Sequence, residues 1–136
     1  MSKIEGGCLC GAVRYHSDAD PVMVAVCHCR NCQKQGGSAF SVIAAVPAAG
    51  LIVSGETKTY LDHGDSGNAV KRIFCPACGS PLISDVESPG TAGLRFIKAG
   101  TLDDPSWLQP TLHVWCKSKQ PWVPIDPAVP QVPANT

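Results

Sequence analysis

Neither sign of charge dominates this 136-residue chain: 11 lysines and arginines stand against 11 aspartates and glutamates, a formal net charge of +0. A nucleic-acid partner normally requires a basic excess or stripe, so none is expected. No apolar run reaches the roughly 18 residues that span a bilayer. The opening Met1-Ser2-Lys3-Ile4-Glu5-Gly6-Gly7 holds no apolar segment of the kind that marks a secretory leader. A cytoplasmic protein with no membrane partner is the expectation, and a reducing cytosol favours free or metal-bound thiols over disulfides. No long helical period is visible either. Glycine (13), proline (12) and cysteine (8) are what the chain has in quantity.

The pattern predicts a mainly β fold of short strands and turns. Segments 11–16, 22–27, 40–46, 51–54, 57–61, 69–74, 82–86, 94–99 and 112–116 read as strands from their β-branched and aromatic content. His63-Gly64-Asp65-Ser66-Gly67-Asn68 reads as a turn, and Asp103 or Asp104 as the cap of one helical turn over 103–107. The expected organisation is one β domain, 1–125, followed by a flexible proline-rich tail, 126–136.

Seven cysteines fall into three clusters: Cys8-Leu9-Cys10, Cys27-His28-Cys29-Arg30-Asn31-Cys32 and Cys75-Pro76-Ala77-Cys78. Thiolates one or two residues apart converge on one metal ion more easily than on each other. Seven sulfurs divide into one closed tetrahedral cage and one cage with a vacant position. Cys75 and Cys78 bracket a tight turn, with Cys8 and Cys10 as the obvious completing pair. A redox dithiol is the alternative, although the βαβ setting of a thioredoxin-like motif is missing. To bring Cys8 and Cys10 to one side the backbone must turn between them, and Gly6, Gly7 and Gly11 supply that freedom.

Cys27, Cys29 and Cys32 can wrap one face of an ion and leave another face free. His28 sits among them but points away from its neighbours in an extended C-x-C. His113 reads as a site-facing or satisfied strand histidine, His16 and His63 as solvated, and Cys116 as a buried small hydrophobe. The segment Gln33-Lys34-Gln35-Gly36-Gly37-Ser38-Ala39-Phe40 reads as a polar, glycine-rich loop. Arg30, Lys34 and the Gly36-Gly37 backbone there are candidates to hold a carboxylate, with an ordinary exposed turn as the alternative. Three thiolates and Zn²⁺ carry a formal charge of about −1, which weakens Lewis acidity toward water but suits the binding of a thiol as thiolate. The chemistry suggested is a sulfur nucleophile meeting a carbonyl.

Three stretches carry a resemblance: Gly7-Cys8-Leu9-Cys10-Gly11-Ala12-Val13-Arg14-Tyr15, Cys27-His28-Cys29-Arg30-Asn31-Cys32 and Phe74-Cys75-Pro76-Ala77-Cys78-Gly79-Ser80-Pro81-Leu82. With Ala99-Gly100-Thr101-Leu102-Asp103-Asp104 and the 113–122 stretch, they resemble the glutathione-dependent formaldehyde-activating enzyme and centromere-protein-V superfamily over residues 5–125. The resemblance implies a β-tent fold of small stacked antiparallel sheets with zinc knuckles. It implies a structural zinc on Cys8, Cys10, Cys75 and Cys78, and a catalytic zinc on Cys27, Cys29 and Cys32 whose free position receives the glutathione sulfur. The implied reaction is condensation of glutathione with formaldehyde, a carbon–sulfur lyase chemistry. A non-catalytic thiol carrier and a zinc-stabilised interaction module are the alternatives.

Overall fold

The computed structural model describes residues 4–64 and 66–135, so the expectations for residues 1–3, Asp65 and Thr136 lie outside the described residues. Ten strands form two sheets. The smaller joins β1 (Ile4–Gly7), β2 (Arg14–Ser17) and β5 (Ile52–Ser54) in the order β1-β2-β5. The larger contains β3 (Met23–Cys27), β4 (Ser41–Pro47), β6 (Lys58–His63), β7 (Ala69–Phe74), β8 (Pro81–Val86), β9 (Leu94–Lys98) and β10 (Leu112–Val114). Their order is β10-β3-β4-β9-β8-β7-β6. Pairings are antiparallel except that β10 runs parallel to β3. This is the mainly β arrangement of stacked small sheets that the resemblance implies.

Alternation along the strands gives the larger sheet two different faces. Val46, Ile83 and Ile97 point to one side, where they bury Ile4, Val13, Tyr15, Leu82 and Leu102 of the core. Each such aliphatic side chain removed from water contributes about 1.5–3 kcal/mol. The intervening residues, among them Ala25, Cys27, Ser84, Phe96 and Lys98, line a cavity on the other side.

The smaller sheet lies against the chain after β9: Leu102 bridges Gly6, and the Asp103 N–H donates to the Glu5 carbonyl at 2.8 Å. Gly6 is required at that approach, because a Cβ there would run into the Thr101 carbonyl oxygen and the Tyr15 ring.

Two expectations are corrected. The 33–40 loop begins as helix α1 (Arg30–Gly36), which Gly37 ends in a left-handed conformation at φ 67°. No helix forms over 103–107. Instead the Asp104 carboxylate accepts from the Ser106 N–H at 2.9 Å, a local turn that competes with helix. Within the expected tail, residues 130–134 lie beside β10 and the turn after it. His113 N–H donates to the Pro130 carbonyl at 2.9 Å, Val132 N–H to the His113 carbonyl at 2.9 Å, and Trp115 N–H to Ala134 at 3.0 Å. Proline is tolerated there because Pro130 supplies only a carbonyl. Among the described residues no helix is long and apolar enough to cross a membrane.

Candidate metal centres

The turn between β1 and β2 presents Cys8 and Cys10, and the turn between β7 and β8 presents Cys75 and Cys78. The four sulfurs lie within 4.8 Å of one another. Cys8 Sγ stands 3.6 Å from Cys10 Sγ, and Cys10 Sγ 3.8 Å from Cys75 Sγ. Zinc–sulfur bonds of about 2.3 Å give a tetrahedron with edges of about 3.8 Å, whereas a disulfide closes to about 2.05 Å. The spacing fits a shared ion and excludes paired sulfurs.

The expected turn is present: Gly11 adopts φ 82° and its N–H closes on the Cys8 carbonyl at 3.1 Å. Donors converge on the sulfurs. Val13 N–H reaches Cys8 Sγ at 3.2 Å, and Cys78 N–H reaches Cys75 Sγ at 3.5 Å. Hydrogen bonds from Ser80, side chain first and backbone second, hold the Cys78 thiol down at about 5.

Cys27, at the end of β3, meets Cys29 and Cys32 across the start of α1. Their sulfurs also lie within 4.8 Å of one another. Cys29 is the N-cap of α1, and its Sγ accepts the Cys32 N–H at 3.2 Å. Among the described residues no fourth His, Cys, Asp or Glu joins this group. His28 is fully buried on the other side, its Nε2 2.9 Å from His113 Nδ1. Neither imidazole faces the sulfurs.

The three sulfurs line a cavity of about 170 Å³. Two cations that the sequence reading passed over line it as well. Arg72 is 3% exposed; its Nε donates to Asp62 Oδ2 at 2.8 Å and its Nη1 lies 3.7 Å from Cys32 Sγ. Lys98 is buried and donates to Ser41 Oγ at 2.8 Å. Asn31 Nδ2 donates to the same Asp62 carboxylate, at 3.1 and 3.2 Å, and so fastens the start of α1 to β6.

The Cys32 thiol is pushed well down by hydrogen bonds from Cys27 and Cys29, with Lys98 and Arg72 adding their charge. Cys27 is pushed up by its hydrogen bonds to Cys29 and Cys32 and by burial. Each of these thiols must give up its proton to ligate a metal ion. A divalent ion would release those protons, and the buried Arg72 and Lys98 would offset the remaining thiolate charge.

Arg30, Lys34 and Gly37 line a separate outer groove with Gln120 and Trp122, and Gly36 ends the helix. Positions 30 and 34 share one face of α1, with Gly37 just past its end, and Cys32 projects from the other face. Cys116 begins a 3-10 turn and is half-buried. Arg72 and Lys98 each carried a readable signal. Counting by two from Phe96 or Val70 puts a cation on the apolar face of its strand.

The family model described as glutathione-dependent formaldehyde-activating enzyme matches residues 3–118. A curated Aspergillus flavus protein, provisionally named a glutathione-dependent formaldehyde-activating enzyme, is 33% identical over 85 residues, 62% of this chain and 44% of that protein. A similarly named protein of Colletotrichum graminicola is 27% identical over 119 residues, 79% of this chain and 61% of that one. The chain thus spans about half the length of the curated relatives it matches. A crystal structure of a Rhodobacter sphaeroides protein has the same fold, with a TM-score of 0.57 at 17% identity, covering 95% of this chain and 100% of that one.

Proposed function

This chain belongs to the glutathione-dependent formaldehyde-activating enzyme family, and from that premise we propose that it is a zinc-dependent enzyme joining a thiol to a small aldehyde, with glutathione as the thiol. Cys8, Cys10, Cys75 and Cys78 would hold a structural zinc, and Cys27, Cys29 and Cys32 a catalytic one. Zinc, if held by Cys27, Cys29 and Cys32, would supply a Lewis acid able to keep a bound thiol ionised at neutral pH.

The chain's own groups have separate tasks. Arg72 and Lys98 offset the charge of the thiolates. The apolar cavity wall excludes water from the reacting sulfur. The overall change forms one carbon–sulfur bond, opens the carbonyl onto its oxygen and moves the thiol proton to that oxygen. The product with formaldehyde is S-hydroxymethylglutathione.

One observation carries this reading: three cysteine sulfurs sit at a cavity wall with no fourth protein ligand among the described residues. A fully closed site would serve folding alone. The test is titration of glutathione into zinc-loaded protein, together with the rate of adduct formation. Saturable binding and a rate above the spontaneous one are expected, both lost in Cys29→Ser. Binding without acceleration would make the protein a thiol carrier, and no binding at all would end the proposal.

A further inference from the structure

The cavity beside Cys27, Cys29 and Cys32 is larger and more apolar than formaldehyde needs. Its volume is about 170 Å³, part of which a zinc ion on the three cysteines and the incoming sulfur would take; one water needs roughly 10–15 Å³ on the same measure, and an apolar cavity of about 150 Å³ takes up benzene. Met23, Ile43, Val70, Phe96, Leu112 and Val114 are among the apolar residues of its wall, which also carries Arg72 and Lys98. Glutathione carries two carboxylates and an ammonium group, and the two cations of the wall, Arg72 and Lys98, already face the sulfurs and Asp62 or Ser41, so burying its whole body here carries a heavy desolvation cost. Only its sulfur end belongs here, and the apolar space is left for the other reactant.

One polar group in that wall is unsatisfied. Ser84, on β8, is 6% exposed, and its hydroxyl has no hydrogen-bond partner among the described residues. A buried hydroxyl in an apolar surface is costly unless paired. Its cross-strand neighbours are Phe96 and Arg72, and Arg72 reaches Cys32. Ser84 Oγ is itself enclosed, so a ligand oxygen would reach it by a turn of the serine side chain toward the cavity that this residue lines. Trp115 also lines the space, with its backbone in the left-handed region at φ 58°, a strained conformation for a bulky residue.

We infer that the carbonyl reactant is an apolar aldehyde of about six to eight heavy atoms, aromatic or aliphatic, with its hydrocarbon part in the cavity and its oxygen held by Ser84. The inference rests on the reading of the three-cysteine site as the place where a thiol is presented. The reaction is RSH + R′CHO → RS–CH(OH)R′: the carbon–sulfur bond forms, the carbonyl π bond opens, and the thiol proton ends on oxygen. No oxidant or further reactant is needed.

The test uses zinc-loaded full-length protein and two probes. Benzyl alcohol, an unreactive analogue, should bind saturably by titration calorimetry. Ser84→Ala should bind it roughly fivefold more weakly. Ala25→Leu, which fills the cavity, should not bind it while zinc content and circular dichroism stay as in the wild type. Addition of glutathione to benzaldehyde, followed by loss of carbonyl absorbance, should show kcat/KM at least about tenfold above that for formaldehyde.

The inference is overturned if benzyl alcohol does not bind or if formaldehyde is the better substrate, and either result leaves the thiol reading intact. Should Ala25→Leu not fold, the wild-type binding, the aldehyde preference and Ser84→Ala still decide. If glutathione fails to bind while benzyl alcohol does, the thiol reading falls and the aldehyde assignment falls with it.

Discussion

Arg72 and Cys32, 40 positions apart in the chain, meet at the cavity wall with Nη1 3.7 Å from Sγ. The same guanidinium is held from behind by Asp62. The pair links β7, next to the edge of the larger sheet, to the first turn of α1. Burial disfavours the charge on Arg72, but the Cys32 thiolate and the Asp62 carboxylate outweigh it and keep the side chain firmly protonated. A cation so placed compensates a site that gathers three negative sulfurs.

Arg72→Met should therefore lower zinc affinity at the three-cysteine site by about 10–100-fold, the usual loss when a group supporting metal ligands is removed. The four-cysteine site, built in other turns, should be unaffected. Competition with a chromophoric chelator would resolve the two affinities. The variant also strands Asp62, so stability should fall by roughly 2–4 kcal/mol. Adding Asp62→Asn should restore part of the stability but not the affinity. Equal weakening of both sites would refute the assigned role.

The two cysteine sites should respond differently to loss of one sulfur. Cys75→Ser breaks a cluster that clamps the β1–β2 turn to the β7–β8 turn. Structural zinc contributes on the order of 10 kcal/mol of apparent binding energy, more than a small domain's usual net stability, so this variant is expected to unfold at room temperature. Cys29→Ser should keep the fold and lose one zinc, because serine is itself a good N-cap for α1. Cys29→Ala should lose the same zinc and about 1 kcal/mol more stability. Metal analysis and urea denaturation of the three variants would check this. A folded Cys75→Ser retaining two zincs would contradict it.

Tyr15 provides a pH test away from the metal ligands. It is 2% exposed, with Oη 2.6 Å from Thr101 Oγ1. Burial, only partly offset by the Thr101 hydrogen bond, pushes its hydroxyl up to about 12. Its folded value lies above the ordinary value of about 10. The neutral form is the one folding favours, and the stability it contributes is complete below pH ~10. That contribution, on the order of 2 kcal/mol, is lost as pH rises toward 12. In Tyr60→Phe, where Tyr15 is the remaining tyrosine, phenolate absorbance should rise with a midpoint near 12. Tyr15→Phe should remove this part of the alkaline loss of stability. A phenolate midpoint near 10 would mean that the smaller sheet does not seal Tyr15 against the core.

The four-plus-three grouping of the cysteines and nine of the ten strands were legible because both depend on local spacing: C-x-C, C-x-x-C and period-two alternation need no tertiary information; β1 (Ile4–Gly7) was missed because two of its four residues are glycine. Helix α1 was misread because Gly36-Gly37 looked like a loop. Gly37 in fact ends the helix, and the start is set by Cys29 Sγ accepting the Cys32 N–H, a cap that no cysteine-free pattern would suggest. Arg30 and Lys34 drew notice because they flank Cys32 in sequence, yet helical geometry turns them to the opposite side. Arg72, Lys98 and Ser84 reach the cavity from three other strands, and only the register of β4, β9, β8 and β7 brings them there. Residues 130–134 gave no strand signal because their bonds to β10 use mainly carbonyls, which proline also has.

His28 decides whether the three-cysteine site is open or sealed. It lies between two proposed ligands in sequence, and a rotation toward them would supply the fourth position. The geometry argues against this. The ring is fully buried, 2.9 Å from His113 through Nε2 and tilted at 5.7 Å from Phe40, on the far side of the strand from the sulfurs. His28→Phe should keep two zincs per chain and bind glutathione within about twofold of the wild type. The unpaired His113 should cost roughly 1–3 kcal/mol of stability, visible as a lower thermal midpoint. X-ray absorption at the zinc edge should give the same sulfur shell in both proteins, with no imidazole scattering lost on substitution. Loss of one zinc, or disappearance of a nitrogen ligand, would mean that His28 closes the site, and the case for an incoming thiol would then fail.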